Sequence, residues 1–220
     1  AKDGNGVDGY YATYGVTDAH DNCGAASTTY SIAPGSFFPI GNTPVVVTVT
    51  DIHGNIATCT LHVVVTCVAP VITVAPSNQT INTTTGRCDA PATYTATASG
   101  IPAANLSYSF SGASTGSGIG TGSGSIFNKG TTTVTITAAN SCGTVSGTFN
   151  ITVEDHERPV IVGLPGDISV SNTGGDCGAI VSWGTVSVTD NCSAVLSTNH
   201  TAGDHFVVGN TTVTYSAVDP

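Results

Sequence analysis

The acidic residues of this chain are few and unevenly placed. Glu154-Asp155-His156-Glu157 forms one run, Asp190 stands inside a Val-Thr-Asp-Asn-Cys segment, and Asp219 closes an alternating segment. Carboxylates are hard oxygen donors, and Ca²⁺ collects roughly six to eight such oxygens. Glu154, Asp155, Asp190 and Asp219 are therefore candidate calcium ligands, provided the fold brings them to one place. A wet acidic linker that serves only solubility explains the same residues. A second group, Asp3-Gly-Asn5-Gly-Val-Asp8-Gly9, has the spacing of half a calcium loop but lacks the glutamate at loop position twelve. A glycine-rich turn accounts for it, and the turn is the reading preferred.

Catalytic signatures are poor. Gly112-Ala-Ser114-Thr-Gly116 spells G-x-S-x-G, but it opens a Gly/Ser-rich stretch instead of joining a strand to a helix, so a nucleophile elbow is not expected. The six histidines, His20, His53, His62, His156, His200 and His205, fall in no H-E-x-x-H or comparable ligand pattern. Trp183, the sole tryptophan, is expected in a core and not on a sugar platform, and no cluster of exposed aromatics is legible.

Composition narrows the classes of partner. Four Lys and Arg against fourteen Asp and Glu give a net charge of −10. So few cations cannot neutralise phosphates, which excludes nucleic acid and anionic membrane surfaces as expected partners. No apolar run is long enough for a membrane helix. Seven cysteines without a C-x-x-C pair indicate disulfides and an oxidising compartment, hence a secreted or cell-surface location. The absence of Met, including at position 1, suggests a processed product or part of something longer.

The elements that would position these residues are repeated. Phe38–Asp51, Phe127–Asn140 and Phe206–Asp219 superimpose without gaps, the phenylalanines being 89 and then 79 residues apart. Pro70-Val71-Ile72, Pro76 and Cys88 recur 89 residues later as Pro159-Val160-Ile161, Pro165 and Cys177. Val45/Val47/Val49, Val134/Ile136/Ala138 and Val213/Tyr215/Ala217 alternate mostly with Thr or Ser, the period of a half-buried strand. Leu61/Val63/Val65 and Phe149/Ile151/Val153 mark the next strand. No helical period is found. Short strands broken by Gly, Pro and Asn predict an all-β chain of tandem immunoglobulin-like sandwiches, an elongated array of three modules: 1–66, 67–153 and 154–220. The middle module is an internal control. It has Thr66-Cys67-Val68-Ala69 in place of the acidic run, no Asp-Asn-Cys segment, and Asn140 where Asp51 and Asp219 stand. All three acidic features vanish together, as one shared site requires.

The third module resembles the HYR (hyalin repeat) family through Pro159–Asn172 (PVIVGLPGDISVSN), Gly174–Trp183 (GGDCGAIVSW), Val188–Cys192 (VTDNC) and Asn199–Asp219. The first is similar through Val16–Cys23, Gly35–Asp51 and His53–Val65, and the second is a divergent relative. The resemblance implies an immunoglobulin-like sandwich of extracellular, often adhesive, multidomain proteins, and it implies no catalytic residues.

Cysteine counts per module suggest pairings. Cys23 and Cys59 are the two in module one, and Cys177 and Cys192 the two in module three, closing a loop of about 15 residues worth about 3 kcal/mol. The two assignments conflict, since the equivalent Cys23 and Cys192 would take different kinds of partner. A cysteine beyond Pro220 is the alternative for Cys192. In module two, Cys88 pairs with Cys142 or Cys67, leaving one odd. Seven sequons, at Asn78, Asn82, Asn105, Asn150, Asn191, Asn199 and Asn210, are candidate glycosylation sites.

The sequence therefore predicts a non-enzymatic building block of an extracellular fibre, stalk or adhesin. Its expected partners are neighbouring copies or further modules joined head to tail, with surface glycans or cell-surface proteins as candidate ligands. Module one lacks the opening Pro-Val-Ile strand and module three its final strand, so both edges are expected to be covered by such neighbours. The competing class is a carbohydrate-binding or accessory module of a secreted enzyme.

Overall fold

The computed structural model describes residues 1–17, 19, 25–172 and 174–220, with twenty β-strands and no α-helix among them. Among the described residues no helix is long and apolar enough to cross a membrane.

Module two shows how the alternation builds a sandwich. In strand Gly130–Asn140 the side chains of Thr132, Val134, Ile136 and Ala138 point inward and are at most 1% exposed. The chain reverses after Asn140 into Gly143–Glu154, which places Val134 opposite Phe149 and Thr132 opposite Ile151. On its other edge Gly130–Asn140 pairs with Asn105–Gly112, and Gln79–Asn82 closes the sheet by a parallel pairing with Gly143–Glu154. The facing layer consists of Val68–Val74 with Thr97–Ile101, and Asp89–Pro91 with Ile126–Asn128. Between the layers lie Phe127, Val134, Ile136, Ile151 and Val153, with Tyr94 and Phe110 packed against them. The period of two thus gives each sheet one dry face, and dry faces must meet.

Module one repeats this plan with a sheet of Ala25–Tyr30, Gly41–Asp51 and Ile56–Val65. Its short pair, Gly9–Tyr11 with Phe37–Pro39, corresponds to Gly178–Ile180 with His205–Val207 in module three. A Cβ at Gly9 or Gly178 would collide with the carbonyl oxygen of Phe38 or Phe206, which explains glycine at both.

Module three is built from three short strand pairs, the others being Val160–Val162 with Ser187–Thr189 and Val195–Thr198 with Tyr215–Val218. Among the described residues no strand beside Tyr215–Val218 takes the place that Gly143–Glu154 holds in module two. A groove of about 650 Å³ runs there, walled by Ile168, Val170, Trp183, Phe206, Val213 and Tyr215. Trp183 is accordingly half-buried and not enclosed in a core, and its Nε1–H donates to the Tyr215 hydroxyl at 2.7 Å. The chain is all-β and immunoglobulin-like throughout.

Candidate functional site at the junction of modules two and three

Strand alternation at the end of Gly143–Glu154 decides which acids reach the junction. Val153 faces the core, Glu154 turns outward and Asp155 turns back in, where its side chain is 0% exposed. Asp155 Oδ1 accepts from Asn191 Nδ2 at 3.1 Å, Glu157 N at 3.2 Å and Thr83 Oγ1 at 3.3 Å. Asp190 Oδ2 accepts from Cys192 N at 3.0 Å. Lys129, on the tip of module two, places Nζ 3.1 Å from Asp219 Oδ1, 3.5 Å from Asp155 Oδ2 and 2.9 Å from the Pro220 carbonyl oxygen.

Oxygens of Asp155, Asp190 and Asp219 lie within 4.8 Å of one another. Carboxylates that close repel by about 3 kcal/mol per pair at an effective dielectric near 20, so the group needs positive charge. Lys129 supplies one unit. Three buried oxygens, Asp155 Oδ2, Asp190 Oδ1 and Asn191 Oδ1, still have no hydrogen-bond donor. Burial pushes the Asp155 carboxyl up, but the Asn191 amide, the Glu157 N–H, Lys129 and Thr83 together outweigh it and hold the group below the usual range. Lys129 is raised, first by its hydrogen bond to Asp219. A depressed Asp contributes stability above its unfolded pKa and loses it as pH falls through the folded value. A raised Lys contributes below its unfolded pKa and loses its contribution only as pH rises through the folded value. Asp155 and Lys129 are therefore both charged across the neutral range.

Glu154 does not join the cluster. It pairs outward with His156 at 3.4 Å, and the alternation that buries Asp155 is the reason. Glu157 instead accepts from the Gly86 N–H across the junction at 2.8 Å.

The disulfides differ from the counts per module. Cys88 of module two bonds Cys192 of module three, with Cα atoms 4.6 Å apart, and Cys67 bonds Cys142 within module two. The expected Cys177–Cys192 bridge and the Cys88–Cys142 or Cys88–Cys67 alternatives are thus replaced. The reason is local: Asn191, next to Cys192, donates to the Arg87 carbonyl at 2.9 Å and to Thr83 Oγ1 at 3.3 Å. The Asp-Asn-Cys segment therefore faces the preceding module. Cys177 and Cys59 are exposed and in no disulfide among the described residues. The expected partner of Cys59, Cys23, lies outside the described residues, as does His20.

Other candidates have structural roles. Asp3 Oδ1 accepts from the Asn5 and Val7 N–H groups and Asp8 pairs with Lys2, so the Asp3–Gly9 segment is a turn. Ser114 is buried and its Oγ accepts from the Asn128 N–H. His62 contacts Asn42, while His200 and His205 lie beside Asp204 and Asp176, and His53 is exposed. Among the described residues the three aspartates are the one group able to hold a metal. Asn78, Asn82, Asn105, Asn199 and Asn210 are exposed and Asn150 is half-buried. Asn191 Nδ2, the atom a glycan would need, is spent on the junction. Sequence reasoning missed Lys129, Asn191 as a junction clamp, and the exposure of Tyr10 and Tyr11 at 64% and 53%. The two tyrosines are consecutive in a strand and face opposite sides, so they form no common platform.

The profile of the HYR domain matches residues 5–65 and 154–220, more than half of the 220 residues. The chain belongs to the HYR domain family. This HYR chain is 32% identical to hyalin of Lytechinus variegatus over 220 residues, covering 94% of the chain and 39% of that hyalin. It is 33% identical to hyalin of Strongylocentrotus purpuratus over 225 residues, covering 98% of the chain and 18% of that hyalin. The HYR chain thus spans well under half the length of either relative. Among solved structures it is similar to the Sidekick-1 immunoglobulin domains 1–5, at 17% identity and a TM-score of 0.32, over 58% of this chain and 29% of that one. HYR modules are adhesion-type domains and generally non-enzymatic. The two disulfides fit an oxidising, extracellular setting.

Proposed function

We propose that this HYR chain is a non-catalytic structural segment of an extracellular adhesive array, with modules two and three locked into one rigid unit and calcium held where they meet. The observation that carries this reading is the junction itself. A disulfide, an ion-paired lysine and a clamp from Asn191 all cross it, an investment a flexible linker does not need. Small-angle scattering of the oxidised chain checks rigidity. One fixed arrangement of modules two and three should fit the data, and a broad spread of angles would refute the reading.

Calcium is supported by the three donor-free oxygens and the surplus of negative charge beside Lys129. Asp155, Asp190, Asp219 and the Asn191 carbonyl would hold it, with water completing the shell. Lys129 competes for the same oxygens. Added Ca²⁺ should therefore raise the melting temperature of the wild-type chain modestly and that of Lys129→Met more. Stabilisation should grow by about 1.4 kcal/mol for each tenfold rise above the dissociation constant. Melting curves that ignore both Ca²⁺ and EDTA in the two proteins would reduce these acids to partners of Lys129 alone.

A further inference from the structure

The Cys88–Cys192 bridge follows a rule that the rest of the chain obeys. Cys88 occupies a defined backbone position, its carbonyl accepting from the N–H two residues beyond the buried Phe127, that of Lys129, at 3.0 Å. In module three the carbonyl of Cys177 accepts from Val208, two beyond Phe206, at 2.9 Å. In module one the carbonyl of Asp8 accepts from Ile40, two beyond Phe38, at 3.3 Å. Asp8, Cys88 and Cys177 are thus the same position in three modules.

The other end of the bridge is equally defined. At the offset of 89 residues, Asp190-Asn191-Cys192 of module three corresponds to Ile101-Pro102-Ala103 of module two. At the two bridge positions module one has Asp8 in place of Cys88 and module two has Ala103 in place of Cys192, so both cysteines are missing from the same junction. The carboxylate of Asp8 is held low, first by Lys2 and further by Ser141 of module two. A pair that is present together at one junction and absent together at the other behaves as one device. Were the two cysteines unrelated, no such matching would be required.

We infer that Cys177 is the donor half of a second such bridge, and that its partner is the cysteine of an Asp-Asn-Cys segment in another HYR module. Cys177 is exposed and in no disulfide among the described residues, as a donor awaiting its acceptor must be. Asp176 precedes Cys177 as Arg87 precedes Cys88, and its carbonyl accepts from Asn172 Nδ2 at 3.0 Å, the kind of amide contact that Asn191 makes to Arg87. Within this chain Asp21-Asn22-Cys23 repeats that sequence, so a second copy is one source of the partner and a further module another. The bond forms by thiol–disulfide exchange with a disulfide oxidant of the secretory or extracellular space. The two thiols give up two protons and two electrons, the Sγ–Sγ bond forms, and the oxidant's own S–S bond is reduced to two thiols.

Peptide mapping of the protein isolated from its source, with free thiols blocked beforehand, tests this. The Cys177 peptide should carry a second peptide containing Asp-Asn-Cys and should lose it on reduction. A partner reading Val-Thr-Asp-Ala-His-Asp-Asn-Cys identifies the first module of another copy, and a different Asp-Asn-Cys sequence identifies a further module. Either supports the rule. A blocked, free Cys177 overturns it, as does a bond to Cys59 or to a cysteine not preceded by Asp-Asn. In Cys177→Ser the cross-linked peptide should vanish while Cys88–Cys192 persists, and its survival in that variant would mean a mistaken assignment.

Discussion

Replacing Cys88 or Cys192 with serine should destabilise the module two–module three unit by as much as about 4–5 kcal/mol. The bridge closes a loop of 104 residues, and the chain-entropy model assigns about 4.7 kcal/mol to a loop of that order. That figure is an upper value, because the remaining junction contacts already restrict the chain. The loss should be visible by calorimetry as a lower melting temperature, with module three melting apart from module two once nothing covalent couples them. Cys177→Ser is the control: it should leave the melting of a single chain unchanged. If Cys88→Ser melts as the wild type does, the bridge contributes nothing to coupling and the rigid-unit reading fails.

The second large effect separates the two sandwiches by how well each is closed. Phe127 is 0% exposed and its ring centroid is 5.0 Å from that of Phe110, deep between the two layers of module two. Truncation to alanine should cost about 3–5 kcal/mol, the usual range for a buried aromatic that leaves a cavity. Phe206 holds the same repeat position but is half-buried along the open groove. Phe206→Ala removes fewer contacts and creates no closed cavity, so a cost nearer about 1–2 kcal/mol is expected. Urea unfolding of the two variants measures the difference. Equal costs would mean that Phe206 is packed as tightly in solution as Phe127.

Much of this architecture was legible in the residues, for a physical reason. A strand half-buried in a sandwich must alternate, so Val134, Ile136 and Ala138 announce both their element and their buried face. The spacing of Phe38, Phe127 and Phe206 marks the same place in three modules because the same packing demand recurs. Junction chemistry was harder to read. That Asp155 points inward and Glu154 outward follows from alternation continued two residues past Val153, yet a run of acids looks uniform in sequence. The partners of Cys88 and Cys192 differ from those that counts per module suggest because Cys192 sits on a segment that leans on the preceding module. Periodicity encodes the faces of a strand and says nothing of how one sandwich abuts the next. The signal that could have found the pairing is the aspartate at position 8, which appears with the loss of the Asp-Asn-Cys segment one module later.

The bridge has a consequence for a chain that is pulled. Tension entering before Cys88 passes through the sulfur atoms to Cys192 and leaves the intervening residues slack. A span of 104 residues, about 350 Å of extended backbone, is thereby withheld from the stretched length even if the sandwich within it unfolds. Cys177 lies inside that span. A bridge from Cys177 to a following module would begin before the first loop has closed, so successive loops would overlap like roof tiles. Lengthening such a strand would require breaking sulfur–sulfur bonds, and its extensibility would be set by the redox state of its surroundings.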